Sequence, residues 1–336
     1  MYQQQHHLSI NNVARPSYLL PFGLHVRSPL YTSSKPSTLT SHSFNILRVL
    51  DSSERSPDFN YVIGIELLVH LRYLAISCAQ LPSVNLRKLE FIFVDNKREG
   101  EIPDILLNME SLRHVYFRGG ACFSASCRQQ ANKDESLQIN NLQTISTLHI
   151  SDETDENFLR FSPNLRRLKC EVGSLHNPSF NFFNQLESLT LSGSGLTSLP
   201  FNLKKLTLKS VKMSLEQMEI IGRLLNLEVL KLQSASFDGN KWDTSEGEFP
   251  QLKFLKVHCV QIAEWNTSSD HFPRLQRLLL EHCHLLKMIP SSLGDIPTLQ
   301  MIKVYGCAQA IVESASKIQE EQRDMGNEEL KVMIVN

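Results

Sequence analysis

Apolar residues in this chain fall in short clusters with the spacing LxxLxL, allowing conservative swaps, and a variable residue separates the last two aliphatics. Such period-two alternation puts those two on one face of a short strand and the residues between and beside them on the other. Twelve frames begin at Leu47, Leu71, Leu86, Leu112, Ile145, Leu165, Leu186, Leu203, Leu227, Leu252, Leu275 and Leu299. From Leu203 onward the starts are almost evenly spaced. Before that the steps are ragged, shortest from Leu71 to Leu86 and longest from Leu112 to Ile145. One frame cannot bury its own apolar face. The pattern therefore predicts one strand per frame, stacked side by side so that neighbours share a continuous aliphatic core.

A period of roughly 20 to 29 residues with this motif is that of leucine-rich repeats. The expected fold class is α/β: a leucine-rich-repeat solenoid (horseshoe) with a parallel β-sheet on the concave face and an irregular, short-helical convex side. Proline cannot donate a backbone hydrogen bond and resists helix continuation, so Leu81-Pro82, Ile102-Pro103, Leu199-Pro200 and Ile289-Pro290 mark the convex return. The organisation expected is an N-terminal linker with degenerate first repeats over 1–43, repeats over 44–307, and a capping helix with a short apolar tail over 308–336. The helix rests on Ala310, Ile311, Ala315 and Ile318, with Met325-Gly326-Asn327 as its stop. Within the long interval after Leu112, the run GGACFSASCRQQANKDES reads as a polar surface loop. Cys78, Cys259, Cys283 and Cys307 each follow a strand, where a small side chain suits a tight buried turn.

Charge narrows the functions. The 34 Lys+Arg nearly cancel the 35 Asp+Glu, which removes a global electrostatic case for nucleic acid or membrane binding. Seven cysteines without a CxxC pair argue against a disulfide framework or a zinc knuckle. The start MYQQQHHLSINN lacks a basic segment followed by an apolar run, and no stretch approaches the roughly 20 apolar residues of a membrane span. The expectation is a cytoplasmic protein, at most peripheral to membranes.

The segments FPQLKFLKVHC and FPRLQRLLLEHCHLLKMIPSSLGDIPTLQMIKVYGC resemble the terminal repeats of plant intracellular disease-resistance proteins of the nucleotide-binding, leucine-rich-repeat class. The opening runs LSINN, FGLHVRSPLYTSS and SFNILRVLDSS are similar to the linker and first repeats of the late-blight-resistance type. Pro29 and Ser52 depart from that pattern, each replacing a usual aliphatic. The resemblance implies a recognition module of plant innate immunity that senses pathogen effectors or restrains a nucleotide-binding switch. Its implied partners are proteins: an effector, a guarded host protein, or the nucleotide-binding domain in cis or trans. Full-length relatives bind ADP or ATP through a domain absent here. The sequence contains no GxxxxGK[ST] loop to cradle phosphates, so no cofactor is expected in this chain.

On the outward face the frames place Arg167, Lys169, Lys205, Lys209, Lys231, Lys256, Arg277 and Lys303, against Glu171 and Glu281. Phe254 and Tyr305 stand beside them, with Tyr73 and Tyr116 earlier. A basic stripe with aromatics suits an acidic protein partner, although lysines between buried leucines are also ordinary solvated residues. His258-Cys259 and His282-Cys283-His284 recur about one repeat apart, so His258 and His282 are expected to meet. Without further ligands at suitable spacing they make neither a metal site nor a Cys/His catalytic pair, and no catalytic residue is assigned. Two other classes compete with the immune module. A ubiquitin-ligase adaptor would need an F-box at the front, where residues 1–43 are rich in Pro, Ser and Thr. A receptor-like extracellular protein is echoed only once, by Gly100-Glu101-Ile102-Pro103.

Overall fold

The computed structural model describes residues 7–10, 28–31, 47–53, 65–77, 86–96, 98–103, 109–131, 139, 141–173, 176–193 and 198–335. The chain divides into two compact units, 1–169 and 170–336.

In the first unit the strands are β1 (His7–Ile10), β2 (Ser28–Tyr31), β3 (Val49–Ser52), β4 (Tyr73–Ile76), β5 (Phe91–Val94), β6 (Gly100–Ile102), β7 (His114–Phe123) and β8 (Thr144–Ile150). They pair in parallel in the order β1-β2-β3-β4-β5-β7-β8, with β6 against the far half of β7. Strand β9 (Arg167–Val172) follows, and the division between the units falls within it.

Two frames are set differently from the sequence expectation. Leu74 of β4 pairs with Ile92, and Ile92 with Val115, so the inward residues of β5 are Ile92 and Val94. The frame therefore begins at Leu89, one helical-turn step after Leu86. Leu86 is buried too, as Leu68 is before Leu71 and Met109 before Leu112, and this extra upstream aliphatic produced the shift. Ile145 pairs with Val115, so that frame begins at Leu142, yet Leu148 and Ile150, expected inside from a start at Ile145, are buried because the register shifts between Tyr116 and Ala121. In β5 alone the odd displacement exchanges the two faces, so Phe91, expected inside, faces out.

Of the run expected as a loop, residues 119–131 are described, and nearly all of them lie in regular elements. β7 continues through Gly119, Gly120 and Ala121 to Phe123, and helix α1 (Ala125–Ala131) follows. Gly120 adopts φ 86° at the irregularity between Tyr116 and Ala121, a conformation open to glycine. Beyond it Ala121 and Phe123 point inward, and Cys127 is buried with its thiol donating to the Ile102 carbonyl at 3.3 Å. Helix α2 (Glu153–Arg160) starts at Asp152, whose carboxylate accepts from the Thr154 and Asp155 amides. Arg128 ties the two helices together by reaching Asp152 at 3.2 Å and the buried Asp155 at 3.1 Å.

The second unit is more regular. Its sheet runs β10 (Ser188–Gly193), β11 (Lys205–Lys209), β13 (Val229–Gln233), β16 (Phe254–His258), β18 (Arg277–Glu281), β19 (Met301–Tyr305) and β20 (Lys331–Val335), all parallel. On the return side, β12 (Lys212–Met213) pairs with β14 (Ser236–Phe237), and β15 (Lys241–Asp243) with β17 (Glu264–Asn266). Register lines the inward residues up as Leu189, Leu206, Leu230, Leu255, Leu278 and Ile302, with Leu191, Leu208, Leu232, Val257, Leu280 and Val304 beside them. All are essentially sealed from solvent. Each such side chain contributes on the order of 1.5–3 kcal/mol relative to exposure. On the return side Trp242 and Trp265 stack at 4.9 Å with rings nearly parallel, and Phe249 and Phe272 stack at 4.9 Å beside them. Thus the two FP dipeptides deliver a buried phenylalanine each.

Helix α3 (Leu215–Gly222) opens with a capping box between Ser214 and Gln217. Ile289-Pro290 leads into a single 3-10 turn, Ser291–Leu293. Leu81-Pro82 lies outside the described residues, as do 132–138. The expected C-terminal helix is α4 (Gln309–Asp324), burying Ile311, Ala315 and Ile318. It ends at Met325 and Gly326, with φ 85° at the glycine. The apolar tail after it forms β20, the last strand of the sheet.

Leu278 and its neighbour Leu279 test the inward and outward assignment directly. Leu278→Ala should cost about 2–5 kcal/mol in a urea unfolding curve, whereas Leu279→Ala, on the open face, should cost under about 1 kcal/mol. Equal costs would contradict the register.

Candidate recognition surface

Each strand of the second unit presents its outward residues in register with its neighbours, giving three rows. The first is Ser188, Lys205, Val229, Phe254, Arg277, Met301 and Lys331. The second is Thr190, Thr207, Lys231, Lys256, Leu279, Lys303 and Met333. Ser192, Lys209, Gln233, His258, Glu281, Tyr305 and Val335 make the third. The bases expected as one stripe are therefore spread over all three rows, and only Lys231 and Lys256 are direct neighbours across a strand pair. Lys231 holds its ammonium 5.7 Å from the centre of the Phe254 ring, a cation–π contact between neighbouring strands. Arg277 and Lys303 flank Leu279. Arg167 and Lys169 are exposed on β9 in the first unit and are described with it.

Glu281 alters the charge. Its carboxylate meets Lys256 Nζ at 2.6 Å and His258 Nδ1 at 3.3 Å. Burial pushes the carboxyl up, but Lys256 and then His258 outweigh it and hold the group below its ordinary range. Of the eight expected bases, Lys256 is the one that an acidic side chain engages among the described residues.

His258 and His282 do meet, edge to face at 5.6 Å, and His282 meets Tyr305 at 5.0 Å. They are not equivalent residues. His258 is the last residue of β16 and pairs with Glu281, while His282 lies one past β18. The step between the two His-Cys pairs is longer by one than the step from Leu252 to Leu275, so the second pair is displaced by one position in its frame. The turn residues Ser210, Ser234, Cys259, His282 and Gly306 share one position, with φ of 51–55°. Each donates its amide to the last strand residue of the following repeat, from Ser210 to Gln233 through Gly306 to Val335. At Gly306 a Cβ would stand 2.6 Å from His282 Nδ1, which accounts for the glycine of the YGC run.

This register corrects the reading of the cysteines. Cys259 occupies the left-handed turn position and is exposed, so it is not the buried turn filler expected. The buried position is the next one, held by Val211, Ala235, Val260 and Cys283. Cys307 shares it and is half-buried, whereas Cys78 lies outside the described residues.

The first unit carries an aromatic patch that the sequence frames only partly revealed. Tyr73 and Phe91 stack at 4.6 Å, and Phe91 lies 5.1 Å from Tyr116 and 6.1 Å from His114. Phe93 pairs with Tyr116 in the next row. Tyr73 and Tyr116 were legible, but Phe91 and Phe93 were hidden by the frame set at Leu86. Burial lowers the His114 pKa, and Arg167 and Arg113 push it the same way.

Among the described residues no three His, Cys, Asp or Glu side chains are grouped to hold a metal ion, and no helix is long and apolar enough to cross a membrane. The arrangement offers shape, charge and aromatic surface.

Glu281 gives a pH test. A carboxyl whose folded pKa lies below its unfolded value stabilises the fold above that unfolded value, about 4.3, and loses the contribution as pH falls below it. Glu281→Gln should therefore lower the melting temperature at pH 7, with the difference from the parent closing as the pH is taken below about 4. A gap that persists at low pH would assign the cost to packing.

The leucine-rich repeat region family matches residues 79–328. Over 334 residues the chain is 35% identical to the putative late blight resistance protein homolog R1B-16 of Solanum demissum, covering 93% of this chain and 25% of that one. It is 34% identical to the late blight resistance protein R1-A of the same species, over 88% of this chain and 25% of that one. The chain thus spans about a quarter of the length of these relatives. Among solved structures, the plant peptide hormone receptor RGFR1 in complex with RGF2 superposes with a TM-score of 0.55 at 13% identity, covering 92% of this chain and 56% of that one. That likeness bears on the fold alone. By these matches, and by strands that stack one per repeat, the chain belongs to the leucine-rich repeat region family, with repeats of the late-blight-resistance type.

Proposed function

We propose that this chain is a non-catalytic protein-recognition module of plant disease resistance that reads an acidic protein surface across the open sheet face of its second unit. Its partner is either a pathogen effector or the nucleotide-binding switch module of a resistance protein, met in the cytoplasm. The observation that carries this reading is the register. Lys205, Lys231, Arg277 and Lys303 stand on rigid parallel strands around Phe254 and Leu279, while Lys256 is neutralised by Glu281. Basic side chains around half-buried apolar ones supply both steering and desolvated contact. In the first unit, Tyr73, Phe91, Phe93 and Tyr116 offer an apolar anchor of the kind that interfaces favour.

Supporting the choice of partner, the relatives are named for late blight resistance. No nucleotide or other cofactor is assigned to this chain, since the phosphate-cradling loop is absent from its sequence.

The test uses the nucleotide-binding portion of a late blight resistance relative, supplied as a separate chain, and measures its association with this one. Lys231→Glu with Lys303→Glu leaves the Lys256–Glu281 pair intact, so melting should be nearly unchanged. Association should weaken about tenfold, or ~1.4 kcal/mol, and the parent complex should weaken as salt is raised. Unaltered binding by a folded double variant would remove the basic rows from the interface.

A further inference from the structure

Cys283 and Cys307 are one repeat apart, since the step between them equals the step between the frame starts Leu275 and Leu299. The pairing of Glu281 with Tyr305 just before them keeps the two in register. Equivalent residues of adjacent strands lie about 4.8 Å apart, inside the Cα separation of about 4.4–6.8 Å that a disulfide spans. Their polar groups interlock: Cys307 Sγ accepts from the Cys283 amide at 3.4 Å. Each sulfur lies against two carbonyls, those of Val257 and Glu281 at 3.5 and 3.6 Å from Cys283 and those of Leu280 and Tyr305 at 3.5 Å from Cys307, so the two thiols differ in burial: Cys283 is 1% exposed. Cys307 is half-buried and directly precedes Ala308, the N-cap of the 16-residue helix α4.

We propose that this pair is a thiol modification site for peroxides, in which Cys307 is the nucleophile and Cys283 the resolving thiol. The thiolate of Cys307 attacks one oxygen of hydrogen peroxide, the O–O bond breaks, and Cys307 sulfenic acid and hydroxide result. Cys283 then attacks the sulfenic sulfur. Its proton leaves with the sulfenic oxygen as water, and a Cys283–Cys307 disulfide forms. Each peroxide is reduced by two electrons and the two thiols are oxidised by the same two.

Electrostatics point the same way as geometry. The contact with the Cys283 thiol lowers the Cys307 pKa below the ordinary thiol value and, although burial opposes it, the Cys283 amide, the Tyr305 backbone and His284 add to the effect. Conversely, the contact with Cys307 and burial push the Cys283 thiol up, which suits a group that waits as the protonated partner. The thiolate is the reactive form, and a helix N-terminus favours it further. This site is independent of the recognition surface: its sulfurs lie at the turn beyond the strands.

Cys259 provides an internal control, since it is exposed but has no cysteine at the equivalent position of the next repeat, where His282 stands. The full chain is treated with hydrogen peroxide, alkylated and digested with trypsin. Tryptic peptides 278–287, 304–317 and 257–274 carry Cys283, Cys307 and Cys259 separately. The expected product links 278–287 to 304–317, two hydrogens lighter than their sum. Before oxidation, iodoacetamide should label Cys307 several-fold faster than Cys259. In Cys283→Ala the linked peptide should vanish, and a 1,3-dione probe should trap sulfenic acid on 304–317. Preferential labelling and oxidation of Cys259 would overturn the proposal. So would oxidation of Cys307 in the parent chain without the link, which would remove Cys283 as the resolving group.

Discussion

Everything in this molecule depends on aliphatic side chains from consecutive repeats stacking in register behind a parallel sheet. A short strand such as Arg277–Glu281 buries Leu278 and Leu280 only because Leu255 and Val257 lie on one side and Ile302 and Val304 on the other. No repeat holds its own core, so the stability of each is shared with its neighbours. The same constraint fixes the outward rows, because a residue between two inward leucines has nowhere to go but the open face. Core and surface are thus set by one alternation.

The turn after each strand transmits that register to the next repeat. A residue at φ near 50° reverses the chain away from the sheet while its amide still extends the ladder, as Ser234 does to His258 and Cys259 to Glu281. Non-glycine residues occupy most of these positions at some conformational cost, and the bond to the following repeat offsets it. Gly306 faces a second demand, since the His282 ring fills the space a Cβ would need.

Much of this was legible because the aliphatic period is strong wherever one candidate frame exists. From Leu165 to Leu299 the frames named the inward and outward residues of the strands they start. Legibility failed where two closely spaced aliphatics, Leu86 and Leu89 or Leu142 and Ile145, offered rival starts. The chain itself uses both members of each pair in its core. GGACF failed for another reason: glycines normally weaken a strand, but here the left-handed Gly120 lets Ala121 and Phe123 return to the buried side. Interactions between repeats were the hardest to read. Nothing in a one-dimensional pattern says that Glu281 answers Lys256, or that the His-Cys pairs are out of step with the frames carrying them.

The face and the core respond differently to substitution, and this bears on how such a protein can bind. A change at Leu278 disturbs three stacked repeats, whereas a change at Lys231 or Lys303 alters charge on an already formed sheet. Hydrogen-bonded parallel strands hold these side chains in rows, which under the proposed reading leaves little ordering to be done on binding. The Lys256–Glu281–His258 cluster is the exception. Because it couples three residues on two strands, it behaves as part of the scaffold even though it lies on the open face. The surface free to vary is therefore smaller than the list of outward residues suggests, and it centres on Lys205, Lys231, Phe254, Arg277 and Lys303.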